Sequence, residues 1–406
     1  MKPWIPVLLL GLFTTQWLHA APAWEFKDRV AIGADARSGV FHHLDGAGRK
    51  HIAVSSQTVA VVWEDNHLGE PLVFVALKSI DQPQFSEPMS ISSGHEAFEP
   101  SIAALTDNRF MVIWEQDASV FAGLIEDRQL KTKRRLTTVS SSHGSVATVG
   151  DLAFVTWREQ QGREWRLKVA QLTLTEDGFD IEAVQSVEAE SLSTPVLFPT
   201  ISASGSGICV AWEDRRAGHT RLLFSYSKSL EQGFSSPQSL NEYYSNRNEY
   251  DKGNGVTRVS MAAFAEDEVV AAWMDKRRGH AGYGIFAALG SEGGESFGPN
   301  EKVHGQEGDE LPHYNPATAG NADSDFVVAW DDFRRGDADI WLGGYNDEAE
   351  WGENISPEVA SGPGEQSHPS VALDDAGHLH LLWIERSDLQ APTRLWYSQG
   401  VVRDSE

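Results

Sequence analysis

The stretch VAWEDRRAG, residues 210–218, decides the fold. In it an apolar run ends in tryptophan and leads into a turn of carboxylates, arginines and a glycine. An apolar strand that ends in tryptophan occurs seven times in the chain, at Trp63, Trp114, Trp157, Trp212, Trp273, Trp330 and Trp383. The tryptophans lie 43 to 61 residues apart, near the roughly 40–50 residues of one propeller blade. The spacing therefore predicts one blade of short strands for each tryptophan.

A second apolar segment precedes each tryptophan strand and opens with proline in several repeats, at Pro100, Pro199, Pro316 and Pro369. We interpret this segment as the innermost strand of a blade. We expect proline at its first residue, where the missing N–H costs no ladder hydrogen bond. A third apolar segment, such as residues 222–224, and a fourth near an aromatic residue, such as Phe85, Phe234 or Trp351, complete four strands.

These repeats predict an all-β fold, a seven-bladed β-propeller of four-stranded antiparallel blades. In such a ring each sheet buries both faces against its neighbours, and only short outer edges remain. Residues 24–406 are expected to form this single domain. Residues 24–32 precede the first inner strand, and we expect them to add the outer strand of the last blade and so close the ring.

Charge and targeting signals narrow the class of protein. The chain of 406 residues has 59 acidic against 33 basic residues, a net charge of −26, which excludes nucleic-acid binding driven by bulk charge. Residues 1–20 have the charge and apolar run of a signal peptide, so we expect a secreted protein, periplasmic or extracellular. No later apolar run is long enough to span a membrane, and the single cysteine, Cys209, excludes an intrachain disulfide.

Three motifs resemble the sialidase-like, BNR-repeat superfamily of secreted bacterial propellers. They are Pro-Ser-Ile-Ala at 100–103, Trp-x-Asp-x-Arg-x-Gly at 212–218 and a weakened Asp-box turn, Ser79-Ile80-Asp81 before Phe85. The resemblance spans nearly all of residues 24–406 and implies a propeller that acts on or binds glycans. The Arg-Ile-Pro signature of sialidases is absent, and sialidases have six blades. Seven-bladed relatives in this broad sense include polysaccharide lyases, which use His, Tyr and Arg at the channel mouth.

A carboxylate stands two residues after tryptophan in six repeats, at Asp65, Glu159, Asp214, Asp275, Asp332 and Glu385. In three successive repeats an arginine and a glycine follow it at fixed spacing. A carboxylate can accept backbone N–H bonds in the turn, arginine can pair with it, and glycine suits a left-handed position. Because the feature is copied from blade to blade, we interpret it as structural.

Function is expected where the blades differ, just before each inner strand, because these residues surround one end of the central channel. The predicted ring is Arg49, Glu99, His143, Phe198, Arg258, Asn315 and His368. Two further segments are candidates: His313 and Tyr314 beside Asn315, and a long tyrosine-, asparagine- and arginine-rich insertion at 243–250. The set suits an anionic or hydroxyl-rich ligand and could move a proton.

The residues predicted to be catalytic, if the protein is an enzyme, are Glu99, Arg258, His313, Tyr314 and His368. The residues predicted to bind ligand are Arg49, His143, Asn315, Arg247 and Tyr250. Glu99 with Tyr314 is the pair that a retaining glycoside hydrolase could use, as an acid and a nucleophile.

The function predicted from the sequence is binding of a carbohydrate, or of another exported macromolecule, at the channel mouth. An enzyme, either a glycoside hydrolase or a polysaccharide lyase, is the first alternative, and a structural protein that docks a partner is the second. Aspartates between Asp323 and Asp339 could bind Ca²⁺, but no 12-residue loop ends in a bidentate glutamate. No cofactor and no metal are therefore predicted, and neither are nucleic acid or membrane insertion.

Overall fold

The computed structural model describes residues 24–33, 35, 37, 39–44, 46, 48–242, 255–277, 282–305, 311–323, 325–345 and 350–402. These residues form seven antiparallel sheets around a central channel, so the predicted seven-bladed propeller is confirmed. The proposed signal peptide, residues 1–20, lies outside the described residues. In the described part of the chain the helical residues are two single 3₁₀ turns, Leu230–Gln232 and Glu358–Ala360, and no helix there is long and apolar enough to cross a membrane.

Each blade is numbered by its tryptophan, from Trp63 in blade one to Trp383 in blade seven. The inner strands are His42–His43 with Ile52–Ser55, Ala97–Ala104, Ser140–Val149, Leu197–Ala203, Val256–Phe264, His313–Gly320 and Glu365–Leu373. The second strands, which carry the tryptophans, are Thr58–Asp65, Phe110–Gln116, Leu152–Gln161, Ile208–Asp214, Glu268–Asp275, Phe326–Arg335 and Leu379–Arg386. The third strands are Leu72–Ser79, Ser119–Glu126, Glu164–Thr175, Arg221–Ser227, Gly284–Ser291, Asp337–Gly343 and Arg394–Val402.

The outer strands are the least regular part of the blades. In blades one to five they are Met89–Ser90, Gln129–Arg135, Gly178–Ser186, Gln238–Ser239, and Ser296–Phe297 with Glu301–Lys302. In blade six, among the described residues, the outer edge is reduced to two single bridges, Leu342 to Ile355 and Tyr345 to Trp351. The predicted position near Trp351 therefore holds, whereas in blade one the strand lies a few residues after Phe85, whose ring packs on Tyr397.

The ring is closed by the N-terminal segment, as predicted. Trp24–Phe26 and Val30–Ile32 pair with the third strand of blade seven, Arg394–Val402, and serve as its outer strand. One hydrophobic cluster then joins Ile32, Leu382 and Leu395 of this composite blade to Trp63 of blade one. Closure therefore buries the face of blade seven against blade one.

The seven repeated tryptophans are at most 1% exposed, and seven hydrophobic clusters each join two neighbouring blades. The residue two positions after tryptophan accepts the indole N–H in five blades, for example Asp332 from Trp330 at 3.0 Å. The same carboxylate binds Arg334, with 2.6 Å between the nearest nitrogen and oxygen. Equivalent pairs in blades four and five confirm that the repeated turn is structural.

The inner strands of blades two to seven each contain a β-bulge, where the register with the second strand shifts. We expected Pro100 to be the first residue of its strand. It lies instead inside the strand Ala97–Ala104. A bulge leaves one residue unpaired, so proline at this point removes no ladder hydrogen bond. The bulge also re-aims the side chain that precedes the proline position.

Candidate functional site

Six side chains project towards one end of the channel because each is the bulged residue of an inner strand. They are Glu99, His143, Phe198, Arg258, Asn315 and His368, all with φ between +46° and +61° and all partly exposed. A left-handed conformation costs a non-glycine residue about 1–2 kcal/mol, and such strain concentrates at functional sites. The structure thus brings six of the seven predicted ring residues together, and we call this end of the channel the mouth.

A carboxylate holds each of four mouth residues in this conformation by accepting its backbone N–H. Glu64 accepts from Glu99, Glu115 from His143, Glu213 from Arg258 and Asp331 from His368, at 2.6–3.2 Å. Each acceptor directly follows the tryptophan of the preceding blade. The sequence prediction missed these residues, although the Trp-Glu and Trp-Asp pairs were visible as a repeated signal.

Blade one departs from the others, because a longer segment replaces the bulge. This plug segment is residues 44–51, of which the structure describes 44, 46 and 48–51. It approaches at least one residue in each of the six other blades, for example Glu99, Gly144, Thr200, Val259, Asn315 and Ser370. A segment in contact with all of these inner strands fills the centre of the channel, so it forms the floor of the mouth.

Arg49 is the anchor of the plug segment. Its guanidinium donates to the carbonyl of Gly144 at 3.0 Å, pairs with Glu99 at 2.7 Å and pairs with Glu115 at 3.2 Å. Only 5% of Arg49 is exposed. The predicted ligand-binding role is therefore corrected, because its buried guanidinium bonds Gly144, Glu115 and Glu99 of the protein itself.

The Arg49 ion pairs fix the protonation of Glu99. Burial would raise the pKa of Glu99, but the Arg49 charge and a hydrogen bond with His43 outweigh it and lower the pKa to about 2. His43, whose side chain is 44% exposed, takes the ring position expected of Arg49. Burial lowers the pKa of His43, but the contact with Glu99 and the charge of Glu64 raise it further than burial lowers it.

An aromatic stack occupies the mouth across blades three to five. The rings of His143 and Phe198 stack at 4.4 Å between centroids, with 11° between planes, and the Arg258 guanidinium lies 4.5 Å from the Phe198 centroid. Burial, aided by the charges of Arg158 and Arg49, lowers the pKa of His143 to about 3. Its Nδ1 accepts the Phe198 N–H at 3.0 Å, so the neutral ring carries its proton on Nε2.

The opposite arc, in blades six and seven, contains two groups with shifted protonation. Burial and the charge of His43 lower the pKa of His368 to about 4, so its imidazole is neutral at neutral pH. Burial raises the pKa of Asp331 to about 8, although the Asn315 amide donates to it at 2.7 Å. Asn315 is thereby oriented by a group beneath the mouth.

Tyr314 belongs to an aromatic patch beside the mouth, between blades five and six. Its ring lies 6.1 Å from that of Tyr283 and 5.8 Å from that of Phe333. The ammonium of Lys276 lies 4.5 Å from the Tyr283 centroid. Tyr283 was not predicted, because its position in the turn before a third strand carries no repeated signal.

His313 requires a correction, because its side chain is fully buried. Its Nδ1 lies 3.1 Å from Asp332, and its ring packs 4.2 Å from that of His304. The residue alternates with Tyr314 along the inner strand and so faces the blade interior, where it cannot reach a ligand at the mouth. Two further predicted ligand-binding residues, Arg247 and Tyr250, lie outside the described residues.

Among the described residues, no group of three or more His, Cys, Asp or Glu side chains is arranged to hold a metal ion. The aspartates of blade six that crowd in the sequence separate in the fold. Asp331 accepts from the Asn315 amide beneath the mouth, Asp332 accepts from Trp330 within its own blade, and Asp325 accepts from the Asn321 amide in the turn at the opposite end. The prediction that no cofactor is bound stays a prediction.

The low pKa of His143 gives a testable pH dependence. The unfolded chain takes up a proton near pH 6.5 and the folded protein near pH 3, so the folded state loses stability as the pH falls through this interval. Asparagine keeps an acceptor for the Phe198 N–H and tolerates positive φ. Lowering the pH from 7.5 to 5 should therefore cost the wild type about 1–2 kcal/mol more unfolding free energy than it costs His143→Asn. Urea unfolding at both pH values measures this; equal shifts in the two proteins would contradict it.

No protein family's sequence profile matches the chain, and no curated protein matches it. Solved structures with the same fold include a protein of unknown function from Dyadobacter fermentans, at 13% identity and a TM-score of 0.56, covering 93% of this chain and 99% of that one. An ulvan lyase of a polysaccharide lyase family is similar at 10% identity and a TM-score of 0.56, covering 92% and 95%. The polysaccharide lyase Uly1 is similar at 10% identity and a TM-score of 0.51, covering 88% and 90%. The chain is thus a propeller of the architecture that these proteins share, and resemblance to sialidases stays a prediction.

Proposed function

We propose that this protein is exported and that it binds an acidic saccharide at the channel mouth. The observation that carries the proposal is the stack of His143, Phe198 and Arg258, placed on three successive blades. The exposed part of this stack offers an apolar aromatic surface for the apolar side of a sugar ring, and a guanidinium recognises a carboxylate. The Nε2–H of His143 and the amide of Asn315 add donors for hydroxyl groups.

The local charge supports an acidic ligand over a neutral one. The net charge of −26 repels polyanions at a distance, so recognition of a uronate requires local cations at the contact itself. Arg258 at the mouth and Lys276 over the neighbouring aromatic patch supply them. A solved structure of the ulvan lyase, at 9% identity and a TM-score of 0.56, holds a saccharide of glucuronate and sulfated rhamnose. We carry that ligand class to this chain as part of the proposal.

We expect Arg258→Ala to weaken binding of a glucuronate-containing oligosaccharide by about 10–100-fold, as the loss of a charged contact of about 1.5–3 kcal/mol predicts. Isothermal titration with the wild type and the variant measures this. Arg128→Ala is the control, because Arg128 is exposed in a hairpin at the far end of blade two. Equal affinities of Arg258→Ala and wild type would contradict the proposed site.

A lyase is the second candidate, favoured by the neutral imidazole of His368. A neutral histidine near Arg258 could accept a proton from a carbon whose acidity a bound uronate carboxylate enhances. The hydrolase alternative based on Glu99 and Tyr314 is weaker, since a carboxyl with a pKa of about 2 is ionised and donates no proton.

A turnover assay, together with the titration above, separates these functions. The purified protein is incubated with sialosides and a panel of acidic and neutral polysaccharides, and both reducing ends and ultraviolet absorbance are followed. New reducing ends with absorbance indicate a lyase, and reducing ends alone indicate a hydrolase. Binding without turnover supports the proposed function, whereas silence in both assays favours the structural role of docking an exported protein partner.

A further inference from the structure

A separate cavity lies in the channel on the other side of the plug segment. Its volume is about 220 Å³, and its walls come from the inner strands of all seven blades. Residues near the plug, such as Ile102 and Met261, are fully buried, while those at the far end, such as Ala104 and Leu373, are partly exposed. The cavity is therefore closed at the plug and opens on the face opposite the mouth, which we call the lower face.

Lys50, the residue after the anchor Arg49, lines this cavity. It is the one charged residue among the described residues that form the walls. Within the described part of the chain its ammonium has no hydrogen-bond or ion-pair partner, whereas its backbone is bonded at both ends: the N–H donates to Ser101 Oγ at 3.4 Å and the carbonyl accepts from Ile102 N–H at 2.8 Å. Burial alone lowers the pKa of Lys50 to about 8, so the side chain remains mostly charged at neutral pH.

Lys50 is partly exposed at the open cavity, so its ammonium is incompletely solvated there and an anion in the cavity would gain from pairing with it. The other wall residues are mainly aliphatic, including Ile52, Val146, Ile201 and Val371, with few hydroxyl groups. Beside Lys50 the wall side chains offer few donors to a phosphate, whereas the aliphatic ones match the alkyl part of an organic acid. A volume of about 220 Å³ limits the occupant to a small molecule, such as an acid with a short alkyl chain.

We propose that the lower channel is a second binding site, which takes a short-chain aliphatic monocarboxylate, with its carboxylate on Lys50 Nζ and its alkyl chain against the aliphatic walls. The site is independent of the mouth, because the plug segment separates the two and they share no lining side chain. It therefore stands whether or not the proposed saccharide binding is correct.

The probe is butyrate, titrated into the wild type and into Lys50→Met, which keeps the length of the side chain and removes its charge. We expect butyrate to raise the melting temperature of the wild type and to bind Lys50→Met at least about tenfold more weakly by calorimetry. Lys131→Met is the matched control, because Lys131 is exposed on blade two. We expect chloride and phosphate at the same ionic strength to bind more weakly than butyrate.

Equal butyrate affinity in Lys50→Met and the wild type would overturn the proposal, as would phosphate or chloride binding as tightly as butyrate. A second measurement needs no variant, in case Lys50→Met does not fold. Reductive methylation of the wild type is followed by mass spectrometry, and we expect butyrate to slow labelling of Lys50 while leaving Lys131 unchanged. Labelling of Lys50 at the same rate with and without butyrate would also overturn it.

Discussion

Gly48→Ala is expected to lose about 2–5 kcal/mol of unfolding free energy. Gly48 has φ of +77°, where an added Cβ costs about 1–2 kcal/mol. That Cβ would also clash with the carbonyl oxygen of Val259, which is backbone and cannot rotate away, and would contact Thr200. Overpacking of this kind adds about 1–3 kcal/mol.

Gly94→Ala is the matched control, because Gly94 has a similar φ of +87° and open space around its Cβ position. We expect it to lose only the conformational part, about 1–2 kcal/mol. Urea unfolding of the wild type and both variants measures the two losses. The difference between the loss in Gly48→Ala and the loss in Gly94→Ala is the cost of the clash with blades four and five. Equal losses in the two variants would mean that the plug segment does not pack as described.

The fold was predictable because its signals are repeated. Tryptophan strands recur seven times, and in six of them a carboxylate follows two residues after the tryptophan, so errors in one repeat are corrected by the others. The mouth ring was predictable for the same reason, since the position before proline is shared by several inner strands. Its physical cause, a bulge that holds Glu99 or His368 at positive φ, was not visible, because register depends on pairing with the second strand.

Features that occur once could not be predicted in this way. The plug segment has no counterpart in other blades, so Arg49 was assigned to the ring by position although the structure buries it. His313 is one residue from Tyr314, and alternation along a strand sends their side chains to opposite sides. A shift of one residue in the predicted strand therefore decides whether a histidine meets the ligand or the blade interior.

The plug segment also links the two ends of the channel. Arg49 sets the charge of Glu99 at the mouth, and its neighbour Lys50 places the charge in the lower cavity. The Arg49 charge is also among the causes that keep His143 neutral. The electrostatics of the mouth thus depend on a residue that is not exposed there.

Arg49→Met is accordingly expected to lose about 3 kcal/mol or more of unfolding free energy at neutral pH. The substitution leaves Glu99 and Glu115, which are poorly solvated, without the cation that they share. The exposed pair of Arg134 with Asp180 is the matched control, and Arg134→Met is expected to lose less than about 1 kcal/mol. Urea unfolding at pH 7 measures both. Comparable small losses would show that the Arg49 pairs contribute no more than surface pairs do.

The pH dependence of Arg49→Met separates lost charge pairing from lost packing. In the wild type Glu99 has a folded pKa of about 2, below its ordinary 4.5, so its contribution is present above pH 4.5 and is lost as the pH falls towards 2. Without Arg49 the folded pKa of Glu99 rises, and that of Glu115, already raised by burial, rises further. We therefore expect the deficit of the variant to shrink as the pH falls from 7 to 4, and Glu99→Gln in the same chain to restore part of it at pH 7. A deficit that is constant with pH would instead assign the whole effect to packing of the arginine stem.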